Sequence, residues 1–199
     1  MYEKVYKLGI TENHLRVLGF FTRGFDRSSY IREIRREMGI SPRTAQLVLE
    51  ALEKKGVLES ETKGKIRVYR IRKNETAKNY LILVEEYKKI VFLESNPLIR
   101  EIIEKTKPCM KGIVLVFGSY PKGTAKKDSD LDMFVAGEYD RAEVKNISKK
   151  YGVKINVKKY PRDQFIKGLK TDHLIKEILL NHVIISGVEE FIEIVTKYG

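Results

Sequence analysis

The chain of 199 residues is poor in several residue types, and each shortage closes off a class of function. A single cysteine, Cys109, excludes an internal disulfide and a cysteine zinc cluster. The three histidines, His14, His173 and His182, have spacings that match no metal motif and read as structural or surface residues. No apolar run approaches the ~20 residues that span a bilayer, so no membrane partner is expected. Residues 1–5 contain no apolar signal core, which predicts a cytoplasmic protein. Gln46 and Gln164 are the only glutamines, while Lys, Arg and Glu abound, a balance that fits the charged surface of a thermophile protein. Acid is also in deficit, leaving a net charge of +12. Residues 1–73 hold 17 Lys/Arg against 9 Asp/Glu, and residues 74–199 hold 22 against 18. Thermophily accounts for the amount of charge but not for its sign or placement. The N-terminal third is therefore the expected polyanion-binding part.

The chain is long enough for two small domains or one medium one, and at 42% hydrophobic it can bury a core. Near the N-terminus, Thr11 can cap a helix with Leu15, Leu18 and Phe21 near one face. A turn at Gly24 leads to a second helix predicted over 28–38, stopped by Gly39. Ser41 as N-cap and Pro42 at the first helical position start a third helix, which runs to about residue 55 with Ala45, Val48, Leu49 and Leu52 inward. Residues 57–72 then read as a β-hairpin with its turn near Lys63-Gly64. Three helices followed by a basic hairpin resemble a winged helix-turn-helix. That resemblance makes the third helix the recognition helix, offering Ser41, Arg43, Thr44 and Gln46 to base edges or phosphates. It brings Lys65, Arg67, Tyr69 and Arg70 near the wing, where they meet a DNA backbone. Winged helices also serve as protein-contact or dimerisation modules, so a protein partner stays open beside DNA.

A long helix is expected from about residue 74 to 94, with Tyr80, Leu81, Val84, Tyr87, Lys88 and Val91 carrying the period and Leu83 and Ile90 widening the apolar face. That face suits docking on both domains or pairing with a second copy as a homodimer. Asn96-Pro97 breaks it.

The most informative stretch lies between two apolar segments. Ile113-Val114-Leu115-Val116-Phe117 reads as a buried strand, too short and too β-branched for a helix. Gly118 permits a turn and the close approach of a ligand. Ser119 is expected to cap a short helix whose free N–H groups face an anion. A second strand carries Asp130 and Asp132 on one face and Leu131 on the other. Two adjacent carboxylates repel, and a divalent cation, most simply Mg²⁺, explains them best. A phosphate cradle beside a metal-binding acid pair is what phosphoryl or nucleotidyl transfer needs.

Gly118-Ser119, a ten-residue spacer and Asp130-Leu131-Asp132 resemble the signature of the polymerase-β-like nucleotidyltransferase superfamily, and of its minimal nucleotidyltransferase branch in particular. The resemblance covers roughly residues 97–199, with its specific part at 117–135. Together with the winged-helix resemblance and the long helix between, it gives an expected α/β (α+β) chain with three parts: a winged helix over 1–73, a helical connector over 74–95 and a nucleotidyltransferase-like mixed sheet with flanking helices over 96–199. It implies a nucleoside triphosphate, ATP first, held by Gly118 and Ser119 with Lys122, Lys126 or Lys127 assisting, and Mg²⁺ held by the catalytic pair Asp130 and Asp132. The reaction it implies moves a nucleoside monophosphate to an acceptor hydroxyl on a small molecule, an RNA end or a protein. In the family a third strand usually brings another carboxylate. The matching position here is Asn156, a neutral ligand that cannot act as a base. The second reading is therefore a catalytically silent regulator, whose transferase fold senses nucleotide or mediates dimerisation while the winged helix binds an operator.

Overall fold

The computed structural model describes residues 8–199, and the expectation drawn from residues 1–5 lies outside them. The first helix, α1 (Glu12–Phe21), starts where the Thr11 N–H donates to His14 Nδ1 at 3.1 Å, so His14 is a capping residue. The helix expected over 28–38 divides in two. Ser28–Tyr30 is a strand, β1, and only Ile31–Met38 is helix, α2. Tertiary pairing overrides helical periodicity here. β1 runs antiparallel to the wing strand β3 (Ile66–Ile71), with Ser28 opposite Arg70 and Tyr30 opposite Val68. Buried Ser29 donates its hydroxyl to Glu33 at 2.7 Å, which ties the strand to the first turn of α2.

Gly39, at φ +64°, ends α2 in the left-handed region that glycine tolerates best. α3 (Pro42–Lys54) begins as expected, because Ser41 Oγ accepts the Thr44 N–H at 3.0 Å. β2 (Leu58–Lys63) and β3 complete a three-stranded sheet in the order β1-β3-β2.

The connector is α4 (Glu75–Ser95), capped by Asn74, whose side chain accepts from the Ala77 N–H at 2.7 Å. It buries Ala77, Leu81, Val84, Glu85 and Phe92. Val91, expected inward, is 43% exposed, and Glu85, a charged residue, is fully buried. The following elements are α5 (Pro97–Thr106), a 3-10 turn (Lys107–Cys109), β4 (Met110–Phe117), β5 (Leu131–Tyr139) and α6 (Arg141–Tyr151). Then come β6 (Ile155–Tyr160), α7 (Arg162–Gly168), α8 (His173–Leu180), β7 (Val183–Ser186) and α9 (Val188–Tyr198). Asp140 caps α6 by accepting from Ala142 and Glu143 N–H, but its own N–H donates to Cys109 O rather than to Glu143. The four strands lie in the order β6-β5-β4-β7. β5 and β6 are parallel, joined by the crossover through α6, and the other pairs are antiparallel.

β4 is buried on both faces. Ile113 and Leu115 join Phe134, Phe165 and Phe191 on one side, while Val114 and Val116 join Met133, Val135 and Ile102 on the other. A strand covered twice has no polar face to alternate with, which is why its sequence is an unbroken apolar run.

α4 packs on α1 of the winged helix and on α9 and β7 of the C-terminal part, so its buried face docks on both domains. The core of the winged helix continues into this junction, with Phe25 edge-on to Phe191 at a ring separation of 6.0 Å. A polar cluster is enclosed there. Lys88 Nζ donates to Glu85 Oε1 and Oε2 at 2.9 and 2.7 Å and reaches Thr22 Oγ1 at 3.3 Å. His182 Nε2 stands 3.4 Å from Glu85 Oε2, out of hydrogen-bond alignment. Its Nδ1 faces the carbonyls of Ile178 and Leu179 at 3.0 and 3.2 Å; carbonyls only accept, so the hydrogen sits on Nδ1. Burial alone would raise the Glu85 carboxyl. The Lys88 ammonium, with His182 beside it, outweighs burial and holds the group at about 2.

Candidate active site and nucleic-acid interface

The candidate active site sits where β4 ends and β5 and β6 begin, at one end of the four-stranded sheet. In register, Phe117 of β4 lies opposite Asp132 of β5, and Asp132 lies opposite Asn156 of β6. The chain turns at once after Phe117. Gly118 has φ +78°, and a Cβ placed on it would stand 2.5 Å from Asp132 Oδ2. Only glycine therefore fits between the turn and the carboxylate. The short helix expected after Ser119 does not form. Residues 118–123 are consecutive turns, closed by Gly123 N–H on Tyr120 O and Thr124 N–H on Ser119 O, both at 3.0 Å. With Thr124 reaching back across the loop, successive helical hydrogen bonds cannot propagate. Ser119, the residue after Gly118, is part of a turn rather than a helix cap.

Asp130 and Asp132 come together as their spacing requires. Asn156 Nδ2 lies 3.1 Å from Asp130 Oδ2 and 3.1 Å from Asp132 Oδ1, so the amide bridges the two carboxylates. Lys154 Nζ pairs with Asp130 Oδ2 at 2.7 Å, a partner that sequence reasoning missed. Hydrogen bonding to Lys154, and then to Asn156, holds the Asp130 carboxyl below its ordinary value, and Asp130 in turn raises the Lys154 ammonium. Of the three lysines expected near the phosphates, Lys122 is paired with Glu177 of α8 at 2.7 Å. Lys126 and Lys127 are exposed at the next turn and make no ion pair among the described residues. That turn is pinned by Ser129, whose Oγ accepts the Lys126 N–H at 2.7 Å.

The donor set suits Mg²⁺. Asp130 Oδ1 and Asp132 Oδ2 are hard oxygens with no hydrogen bond among the described residues, and Mg²⁺ commonly takes one or two carboxylates and completes its shell with substrate phosphates and water. No cluster of three or more His, Cys, Asp or Glu able to hold a metal occurs among the described residues. Beside the site, a cleft of ≈ 650 Å³ is walled by Tyr120 and Gly123 of the loop, by Arg16 and Arg23 of the winged helix and by Tyr87 of α4.

At the other end, Ser41 and Arg43 are exposed at the start of α3, and Thr44 and Gln46 are half-buried. Ser41 Oγ also contacts Thr44 Oγ1 at 2.8 Å, so these hydroxyls already serve the cap. Arg43 reaches Gln46 at 3.4 Å, and Gln46 donates to Glu50 at 2.8 Å. The wing departs from expectation. Tyr69 is 1% exposed and belongs to the core, because inward positions of β3 alternate with outward ones. Arg67 pairs with Glu53 of α3 at 2.6 Å, and Arg70 pairs with Glu59 of β2 at 2.7 Å. Lys65, in the turn, is exposed. The residues passed over are Arg32, Arg35 and Arg36, all exposed on α2 around a hollow of ≈ 580 Å³ with Tyr30 and Ile40. The run Ile31-Arg32-Glu33-Ile34-Arg35-Arg36 carried that signal as a charged outer face.

The arrangement defines a class: a winged-helix module joined by a helix to a small α/β domain with a Gly-Ser turn against an Asp-x-Asp pair. Comparison with known families agrees with both halves. Residues 97–194 match the nucleotidyltransferase domain family, and residues 8–68 match the LexA DNA binding domain. The chain thus carries a nucleotidyltransferase domain behind a LexA-type winged-helix DNA-binding domain. No curated protein and no solved structure matches it. No helix among the described residues is long and apolar enough to cross a membrane.

Proposed function

We propose that the protein binds DNA through α2 and α3 and uses its second domain to transfer a nucleoside monophosphate from a magnesium–nucleoside triphosphate, ATP first, to an acceptor hydroxyl. The observation that carries this reading is the fit of Gly118 against Asp132, with Asp130 on the same face. The Gly118–Ser119 turn takes the triphosphate, and Lys126 and Lys127 add positive charge from the next turn. Asp130 and Asp132 would hold Mg²⁺, which supplies charge neutralisation and alignment when bound. The acceptor oxygen bonds to the α-phosphorus, the bond from that phosphorus to the bridging oxygen breaks, and pyrophosphate leaves. The hydroxyl proton passes to solvent, since position 156 offers an amide and not a carboxylate. The cleft walled by Tyr120, Arg16 and Tyr87 is the proposed entry for the acceptor, which includes a protein side chain among its candidates. On the DNA side, Arg43 with Arg32, Arg35 and Arg36 supplies phosphate contacts, while Arg67 and Arg70 brace the wing. The test is incubation with α-labelled NTPs, Mg²⁺ and cell extract. Label should appear on an acceptor with the unaltered protein and vanish with Asp132→Asn, which leaves the fold intact. Equal labelling by both would refute the assignment.

A second reading is favoured by one observation, the Asn156 amide bridging both carboxylates. In that reading the domain binds nucleotide without transferring it, and DNA binding responds to the bound nucleotide, or the domain pairs two copies on an operator. Nucleotide-dependent melting without label transfer would select it.

A further inference from the structure

The side of the acid pair that faces β6 is already filled. β5 and β6 are parallel, with Leu131 opposite Ile155 and Asp132 opposite Asn156. The Leu131 N–H donates to Lys154 O at 2.8 Å, which extends the pairing one step back. Side chains two apart on a strand share a face. Asp130 and Asp132 therefore meet Lys154 and Asn156 as two cross-strand pairs. Lys154 Nζ takes Asp130 Oδ2 at 2.7 Å, and Asn156 Nδ2 takes Asp130 Oδ2 and Asp132 Oδ1, each at 3.1 Å. The remaining Asp132 oxygen, Oδ2, is the one that lies against Gly118. The pair thus turns one side to an ammonium and an amide and the other to the phosphate turn.

Resting on the nucleotide-binding reading above, we propose that this site takes a single divalent cation with its nucleotide, on the Gly118 side, and that Lys154 stands where a second cation would otherwise bind. The charge balance supports this. Two carboxylates with one ammonium leave a net charge of −1, enough for one cation that also carries phosphates. A second cation would have to displace Lys154 and would then meet the neutral Asn156. Lys154 is a positioning residue here: its fixed charge keeps Asp130 oriented and neutralises the side from which an acceptor or a second anion approaches.

The test counts metal ions and does not depend on transfer. Mn²⁺ replaces Mg²⁺, α,β-methylene-ATP serves as the non-transferable nucleotide, and bound Mn²⁺ is counted by electron paramagnetic resonance and equilibrium dialysis. The unaltered protein should bind one Mn²⁺ per bound nucleotide. Lys154→Ala with Asn156→Asp should bind two. Lys154→Arg should remain at one. Lys154→Ala alone, a change at an exposed side chain, should tighten the first Mn²⁺ on the order of tenfold by removing a nearby positive charge. Two Mn²⁺ ions on the unaltered protein would overturn the proposal and leave the nucleotide reading standing. One Mn²⁺ on the folded double variant, checked by circular dichroism, would overturn it equally. Neither metal nor nucleotide on the unaltered protein would overturn both.

Discussion

Glu85→Gln tests whether the two halves of the chain are joined by the buried cluster at α4. Glu85 is fully buried, accepts two hydrogen bonds from Lys88 and faces His182 at 3.4 Å. The amide is isosteric, so packing survives, but the negative charge is lost and an NH₂ group is set among donors. Removing one partner of a buried ion pair generally costs 3–5 kcal/mol. Lys88 retains 23% side-chain exposure and can relax toward water, which puts the loss at the low end, about 3 kcal/mol. Linkage gives the same size. Holding a carboxyl at about 2 instead of 4.5 contributes about 3 kcal/mol at neutral pH. Because the folded value is depressed, that contribution is complete above about pH 4.5 and drains away as pH falls toward 2. The gap between the unaltered protein and Glu85→Gln should therefore be about 3 kcal/mol at pH 7 and close between pH 4.5 and 2. Urea unfolding followed by far-ultraviolet circular dichroism is the assay, since the chain has no tryptophan. A loss below about 1 kcal/mol at pH 7, or a gap that stays constant on acidification, would refute the account.

Two further substitutions probe the ends of the molecule. Gly118→Ala meets both a positive φ and a 2.5 Å approach to Asp132 Oδ2, so it should cost about 1–2 kcal/mol of stability and lower nucleotide affinity by more than tenfold, read as a lost melting shift with Mg-ATP. Arg43→Ala should weaken DNA binding and lower the salt slope by about one, whereas Arg67→Ala, already paired with Glu53, should leave the slope unchanged and cost about 0.5 kcal/mol of stability. Equal slopes for the two variants would show that the wing arginine leaves its partner to meet phosphate.

What the sequence made legible depended on whether the cause was local. The cap at Ser41 and the glycine stop at Gly39 act within one turn of chain, and α3 and α4 start and the helix before Gly39 stops within a residue or two of where the sequence puts them. β1 was hidden because its reason for being a strand is β3, about forty residues away. The α4 face was misjudged for a related reason. Periodicity finds apolar residues, and Glu85 is buried beside Lys88, one turn along the same helix, and His182, which closes on it from the segment between α8 and β7. The wing arginines looked available because Glu53 meets Arg67 only once the hairpin folds onto α3, and because Glu59 stands opposite Arg70 only in the register the hairpin adopts.

The active-site pair shows where legibility ended and why it need not have. Asn156, which the resemblance matches to a third acid, lies on the strand after α6 and faces Asp132 across the β5–β6 pair. Once Asp132 lies opposite Asn156 in a parallel pair, period-two geometry brings residue 154 opposite residue 130 without further information. Lys154 was thus implied by the same register that identified Asn156. Taking residues in search of a missing acid passed over the base two positions earlier. Yet the two departures act together. A neutral amide at 156 removes the charge that a second cation needs, and a lysine at 154 supplies a positive charge beside Asp130 in its place. In the reading proposed above, together they leave the pair neutralised on one side, with the Gly118 side left for the nucleotide.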